Sequence, residues 1–277
     1  MILVTGATGT IGRHLVRALA ESGTRFRALV RNAAKGRELG CECVVGDFDD
    51  PASMAAALRG VDRLLLNSGG ALPVAGQQPM VRQQTTAIDL ARAAGVAHVV
   101  KVSAWRPGPG AKLSVRAHWE IEEHLKASGL GWSMLQPTGY MQNFFTGEGG
   151  FAHGGAVAGP YGTGRVAYID AYDVAACAAV LLTGASRGSA TYALTGPEAL
   201  THGEIAGKLG VPFRDLPAQA AAAELRARGL PDWFVEDLLE LYAELASGGM
   251  AEVTTVVREL VGREPRTFDE FLAMGVG

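Results

Sequence analysis

A glycine-punctuated turn at the start of the chain constrains its fold more than any other stretch. Residues 1–16 read MILVTGATGTIGRHLV. The run Ile2, Leu3, Val4 is short and wholly apolar, as a strand buried on both faces of a parallel sheet has to be. Glycines follow at positions 6, 9 and 12. An amphipathic helix then opens, with Ile11, Leu15, Val16 and Leu19 on its apolar side and Gly23 just past its end. Strand, glycine turn and helix is the setting in which such a motif cradles a dinucleotide. Gly6 permits a tight turn, Gly9 lets the backbone approach a pyrophosphate, and Gly12 lets helix and strand pack closely. Free amides at the helix start face the anion, which adds Thr8, Thr10 and Ile11 to the candidate cofactor-binding set. The spacing is G-x-x-G-x-x-G rather than the commoner G-x-G-x-x-G. With 37 glycines in the chain, chance triplets are expected, so the setting between strand and helix carries the reading.

The remaining composition narrows the function classes. The 277 residues fit one large domain or one domain plus a lobe, and 48% hydrophobic content supplies a sizeable core. A formal net charge of −3 gives no basic field for nucleic acid. Cys41, Cys43 and Cys177 form an odd, sparse set, which argues against a disulfide framework and fits a reducing cytoplasm. Cys41 and Cys43 have no second Cys/His pair to complete a metal site, and His118 and His124 fall on different helix faces, so no metal is expected. The N-terminal run reads as a strand rather than a leader. The longest apolar run, 174–182, is far short of the roughly 20 residues that span a bilayer.

Strands alternate with helices through the first half. Strands are expected at 26–30, 43–46, 62–67, 97–103 and 132–136. Helices are expected behind the Asp50-Pro51 cap and near 79–94 and 114–128. This rhythm predicts an α/β fold with a doubly wound parallel sheet, whose ligands sit outside the carboxyl ends of the strands. Arg31, with Lys35 nearby, follows the second strand. An acid there would bind the 2′-hydroxyl of NAD, whereas Arg31 pairs with the 2′-phosphate of NADP, so NADP(H) is favoured over NAD(H). After the third strand, Asp47 either accepts from the adenine amino group with Phe48 against the ring, or only shapes the turn before Asp50. Asn67, Ser68 and Gly69 follow the fourth strand as small residues beside a cofactor, and Ser103 and Trp105 follow the fifth. Residues 146–164 are glycine-dense and read as a loop or a lid. A strand near 191–194 and helices near 201–209, 217–228, 231–247 and 252–261 complete the chain. The expected division is a dinucleotide-binding domain over 1–150 and a smaller, mostly helical C-terminal lobe over 151–277, part of which returns to the sheet.

The segments VTGATGTIGRHLVRAL, VVGDFDDPASMAAAL, VVKVSA, LQPTGYMQNF and TYALTGPEALTHGEIA together resemble the NmrA-like group of atypical short-chain dehydrogenases/reductases over nearly the whole chain. The resemblance implies a Rossmann-type domain, NADP in many members, and a cleft between that domain and the C-terminal lobe. Pro137 lies in the segment that borders the nicotinamide and substrate in the family, and Tyr140, Asn143 and Phe144 in the same segment suit a flat apolar ring. Family members include NADPH:quinone oxidoreductases, non-enzymatic redox sensors that bind a regulatory partner, and tailoring enzymes, oxygenating ones among them, of aromatic polyketide antibiotic pathways.

The Tyr-x-x-x-Lys pair of typical short-chain reductases is absent from the helix after the fifth strand. His118 stands near where the quinone reductases of the family also carry a histidine, and the lysine that follows theirs is Glu123 here. Quinone reduction asks less of an acid, because the product oxyanion is a stabilised phenolate. His118, Tyr140 and Ser103 are the candidate catalytic donors, and Trp105, Tyr140, Asn143 and Phe144 the candidate substrate contacts. The leading expectation is an NAD(P)H-binding oxidoreductase acting on a quinone or related aromatic small molecule, as a monomer or homodimer, without nucleic-acid or membrane partners. The rivals are an NADP(H) sensor and a polyketide-tailoring enzyme.

Overall fold

The computed structural model describes residues 1–70, 72–145, 151–185 and 188–275. The chain divides into two compact units, residues 1–136 with 171–193, and residues 137–170 with 194–277. The chain thus leaves the first unit at residue 137 rather than 150, and the segment that returns is 171–193.

Strands and helices are numbered along the chain. The first unit contains β1 (Ile2–Val4), α1 (Thr10–Glu21), β2 (Phe26–Val30), α2 (Ala33–Arg37), β3 (Cys43–Val45), α3 (Pro51–Ala57), β4 (Arg63–Leu66), α4 (Pro79–Ala93), β5 (His98–Val102), α5 (Leu113–Ala127), β6 (Gly131–Pro137), α6 (Ala171–Thr183) and β10 (Ala190–Leu194), the last residues of β6 and β10 falling across the boundary. The strands form one seven-stranded sheet in the order β10-β6-β5-β4-β1-β2-β3. The pairs β1–β2, β2–β3, β1–β4, β4–β5 and β5–β6 are all parallel. The order reverses between β1 and β4 inside the sheet, so their carboxyl ends are the switch point at which doubly wound sheets bind ligands.

Alternating strand residues go to opposite faces. Leu3, Leu64, Leu66, Val99 and Met134 share a core with Met54 and Leu58 of the α3 region, Ile88 of α4 and Ile121 of α5. On α1, Ile11, Leu15, Val16 and Leu19 are buried as expected, and α1 packs on α6. Asp50 caps α3 by accepting from the amides of Ala52 and Ser53. Arg63 Nη1 donates to the carbonyls of Leu181, Leu182 and Gly184, which ends α6 on a cation.

Among its described residues, the second unit combines five α-helices with short strands. β7 (Ala152–His153) and β8 (Ala156–Gly159) form an antiparallel hairpin, and β12 (Phe213–Asp215) joins β8 in parallel. β9 (Arg165–Val166) pairs with β11 (Leu200–Thr201). Helices α7 (His202–Leu209), α8 (Ala218–Ala227), α9 (Asp232–Ala246), α10 (Val256–Val261) and α11 (Phe268–Ala273) complete it. The expected loop or lid over 146–164 is therefore a hairpin from 152 to 159, and its first part, 146–150, lies outside the described residues. Among the described residues, no helix is long and apolar enough to cross a membrane, and no group of three or more His, Cys, Asp or Glu side chains could hold a metal ion.

Candidate functional site

The glycine turn lies at the switch point. Thr5 Oγ1 is 2.8 Å from the Leu65 carbonyl and 2.9 Å from that of Asn67, and accepts from the Asn67 amide, which ties the end of β1 to the end of β4. Gly6 has φ +64°, and a Cβ there would stand 2.9 Å from the Asn67 carbonyl oxygen. A Cβ on Gly12 would fall 2.2 Å from the Gly6 oxygen and 2.6 Å from Ala7 Cα, so the helix packs closely on the turn because this position has no side chain. Gly9 is the N-cap of α1. No side chain caps the helix start, and no acid occupies its first turn. Its leading amides are thus presented to an anion by geometry and dipole together. The Thr8 carbonyl accepts from Arg13 Nε at 3.0 Å, and Thr10 is exposed beside it. Ile11 is buried in the core, so only its backbone can meet a ligand.

Arg31 follows β2 directly and is exposed. Asn32 caps α2 through its side chain, at 2.7 Å from the Ala34 amide, and Lys35 is exposed on that helix. Two cations with no acid between them suit a phosphate on the ribose. The turn after β3 is closed by its own side chain. Asp47 Oδ1 accepts from the Asp49 amide at 2.9 Å, and Phe48 packs on the hydrophobic core. Asp47 thus shapes the turn through Oδ1, and Phe48 packs on the core while half-buried. Asp49 instead is bonded by Arg82 and Gln83, and the Arg82 bond leads in holding its carboxyl below the usual range.

Behind the ends of β4 and β5 lies a polar chain that sequence reasoning did not assemble. Ser68 Oγ accepts from Gln84 Nε2 at 2.7 Å. Gln84 Oε1 accepts from Lys101 Nζ at 3.1 Å, and Lys101 also bonds the Val102 carbonyl at 3.1 Å and His118 Nδ1 at 2.9 Å. Lys101 is fully buried, and burial lowers its pKa to about 7 against the opposing attraction of Glu122. Burial first, and then the charge of Lys101, hold His118 well below its ordinary value. The cue in the sequence was a lysine inside the apolar run 98–102, which a strand buried on both faces accommodates only with partners.

A second chain corrects Ser103. Its hydroxyl donates to Glu122 Oε1 at 2.5 Å, and Gln136 Nε2 bonds both oxygens of the same carboxylate. Ser103 is buried and its proton is committed, so it is not positioned as a catalytic donor. Glu122 is the acid that turns inward on α5, while Glu123 is exposed and pairs with Lys126. Trp105 is buried with Arg106 4.7 Å over its ring, so it packs rather than offering a free face. Gly69 is exposed, with open space around its α-carbon.

The other candidates belong to the second unit, Pro137 among them, buried as the last residue of β6. Tyr140 bridges to Ile169 and is half-buried, and burial pushes its phenol above the ordinary range, so it keeps its proton. Asn143 is half-buried in a short 3₁₀ turn over 141–144. Phe144 is 1% exposed and packs edge-on against Tyr168 and Phe268. It is core, and a substrate does not reach it.

The model of the NmrA-like family matches residues 1–272. The chain belongs to the NmrA-like family. This NmrA-like protein is 35% identical to the NAD(P)H azoreductase of Xenophilus azovorans, over 98% of its own length and 96% of that protein. Among solved structures, the NADPH-dependent quinone oxidoreductase of Escherichia coli complexed with NADPH superposes with a TM-score of 0.83 at 28% identity, covering 99% of both chains. The Citrobacter sp. triphenylmethane reductase complexed with NADP(H) gives a TM-score of 0.82 at 25% identity over 98% of this chain and 99% of the other.

Proposed function

We propose that this protein binds NADPH at the glycine turn of the first unit and reduces quinones, with azo compounds as a second class of acceptor. The observation that carries the reading is the start of α1: uncapped amides beside two glycine positions that tolerate no Cβ, followed one strand later by Arg31 and Lys35. The names of the quinone oxidoreductase and azoreductase relatives support the acceptor classes.

The amides of residues 10–12 hold the pyrophosphate, and Arg31 with Lys35 pairs with the 2′-phosphate. Bound NADPH supplies a hydride. His118, neutral and half-buried, offers a ring N–H to the reduced acceptor. In the second unit Tyr140 and Asn143 are the proposed substrate contacts, Tyr140 as a donor that does not ionise. A carbonyl reductase needs a stronger acid than this chain carries at the Tyr-x-x-x-Lys position, whereas a quinone leaves a stabilised phenolate. Three free cysteines fit the proposed cytoplasmic location.

Fluorescence titration with NADPH and NADH, before and after Arg31→Ala, tests the cofactor assignment. Tight NADPH binding that the substitution weakens selectively is expected. Equal affinity for both nucleotides overturns the NADP assignment, and tight binding without turnover of any para-quinone points instead to a nucleotide sensor.

A further inference from the structure

Reduction of a quinone consumes a proton as well as a hydride. In register beside Lys101 are Leu66 of β4 and Met134 of β6, both buried and apolar. The head group reaches α4 and α5 instead. Its three N–H bonds are matched by three acceptors, Gln84 Oε1, the Val102 carbonyl and His118 Nδ1. With Nδ1 accepting from the ammonium, the ring proton of His118 sits on Nε2. If the shared proton crosses to Nδ1, Lys101 becomes an amine and Nε2 still carries its hydrogen. Both arrangements leave His118 presenting an Nε2–H donor.

We infer that Lys101 and His118 form a proton relay, in which His118 Nε2 protonates the reduced substrate while Lys101 refills the ring at Nδ1. The inference rests on the reductase reading above. Hydride addition converts the acceptor C=O into an oxyanion. That oxygen takes the proton from Nε2 as the Lys101 ammonium gives one to Nδ1, leaving a neutral amine beside a neutral imidazole with its hydrogen on Nδ1. After product leaves, a solvent proton enters at Nε2 and the Nδ1 proton returns to Lys101. Solvent reaches the pair through His118, since Lys101 itself is sealed. Lys101 is the positioning and proton-supplying residue, and His118 the one that touches substrate.

The groups that tune the pair are few. α5 contributes His118 and Glu122, and Lys126 lies 3.8 Å from the second oxygen of Glu122. α4 contributes the neutral Gln84, and the flanking strands contribute Leu66 and Met134. Burial brings the Lys101 pKa to about 7, so the relay is loaded below neutrality and emptied above it.

The full-length protein, labelled with ¹⁵N at histidine and ¹³C at lysine Cε, is titrated by NMR with and without NADP⁺, and kcat/KM for a para-quinone is followed over the same pH range. In the wild type His118 is expected as the Nε2–H tautomer while Lys101 carries its proton, the Lys101 carbon titrates near pH 7, and kcat/KM falls as pH rises through that value. In Lys101→Met the tautomer is released, the falling limb disappears, and kcat/KM on the acid side drops about 100-fold. Lys101→Arg retains the tautomer and part of the rate. Should Lys101→Met not fold, His118→Gln is expected to lose the same limb and to move the Lys101 resonance. An Nδ1–H or doubly protonated His118 while Lys101 is still charged, or a limb that survives both substitutions, overturns the relay. Turnover with an unfixed tautomer overturns the relay alone. A fixed tautomer with no turnover overturns the reductase reading, and the substrate role of the pair with it.

Discussion

His118 on α5 of the first unit is half-buried and His202 at the start of α7 of the second is fully buried, and burial leads in lowering the proton affinity of each, His202 to about 4. Their surroundings differ. His118 faces a lysine whose every N–H is used and whose proton can be exchanged near neutrality. His202 Nε2 is 2.9 Å from the Tyr168 hydroxyl, its ring stacks on Tyr161 at 3.8 Å, and among the described residues Nδ1 has no partner. Burial raises the phenols of Tyr161 and Tyr168, so neither passes a proton on. One imidazole is attached to a proton reservoir and the other to a set of rings. The first arrangement suits the proposed proton transfer, and the second suits packing.

The largest effect is expected where the first unit has no room at all. Gly12→Ala drives a Cβ into the Gly6 carbonyl, and NADPH affinity measured by fluorescence should fall at least about 100-fold. The two histidines then separate by readout. His118→Gln should cost about 100-fold in kcat/KM with little change in unfolding midpoint. His202→Ala leaves the Tyr168 hydroxyl unpaired beside a cavity, and should cost about 2–4 kcal/mol in urea unfolding while folded protein keeps its turnover. The reverse pattern breaks the comparison.

Stability against pH sharpens the same contrast. His202 has a folded pKa below its ordinary 6.5, so on acidification the unfolded chain binds a proton first, and stability is lost as pH falls from 6.5 toward about 4. That slope should vanish in His202→Ala. Lys101 works in another window. Between about 7 and its ordinary 10.5 the unfolded chain carries the proton and the folded one does not, so stability rises with pH there. Urea unfolding of wild type and Lys101→Met at the two ends of that window reads the difference. The smallest effect belongs to exposed Arg31, where Arg31→Ala should weaken NADPH by about 1 kcal/mol and leave NADH nearly unchanged.

The six leading strands and the glycine turn were legible because the strands are short, mostly apolar runs with punctuation on each side. α6 was not legible as a helix. Its residues 174–182 are apolar all round because it packs on α1 and the sheet, so no period marks it. Strands β7, β8, β9, β11 and β12 are two to four residues long, too short for alternation to register. At the site, the backbone-binding residues could be read from position alone, since strand ends dictate them. Side-chain roles could not. Ser103 looked free until Glu122 was found beneath it, Phe144 is aromatic whether it meets substrate or core, and Lys101 became visible only when α4 and α5 supplied its acceptors.

Consumption of reduced nicotinamide on adding a simple para-quinone to the purified protein, with NADPH and NADH in turn, tests the central claim most directly. Rapid quinone-dependent loss of nicotinamide absorbance that prefers NADPH is the expected result. No loss across a series of quinones and azo dyes, with tight NADPH binding measured in the same sample, would contradict it.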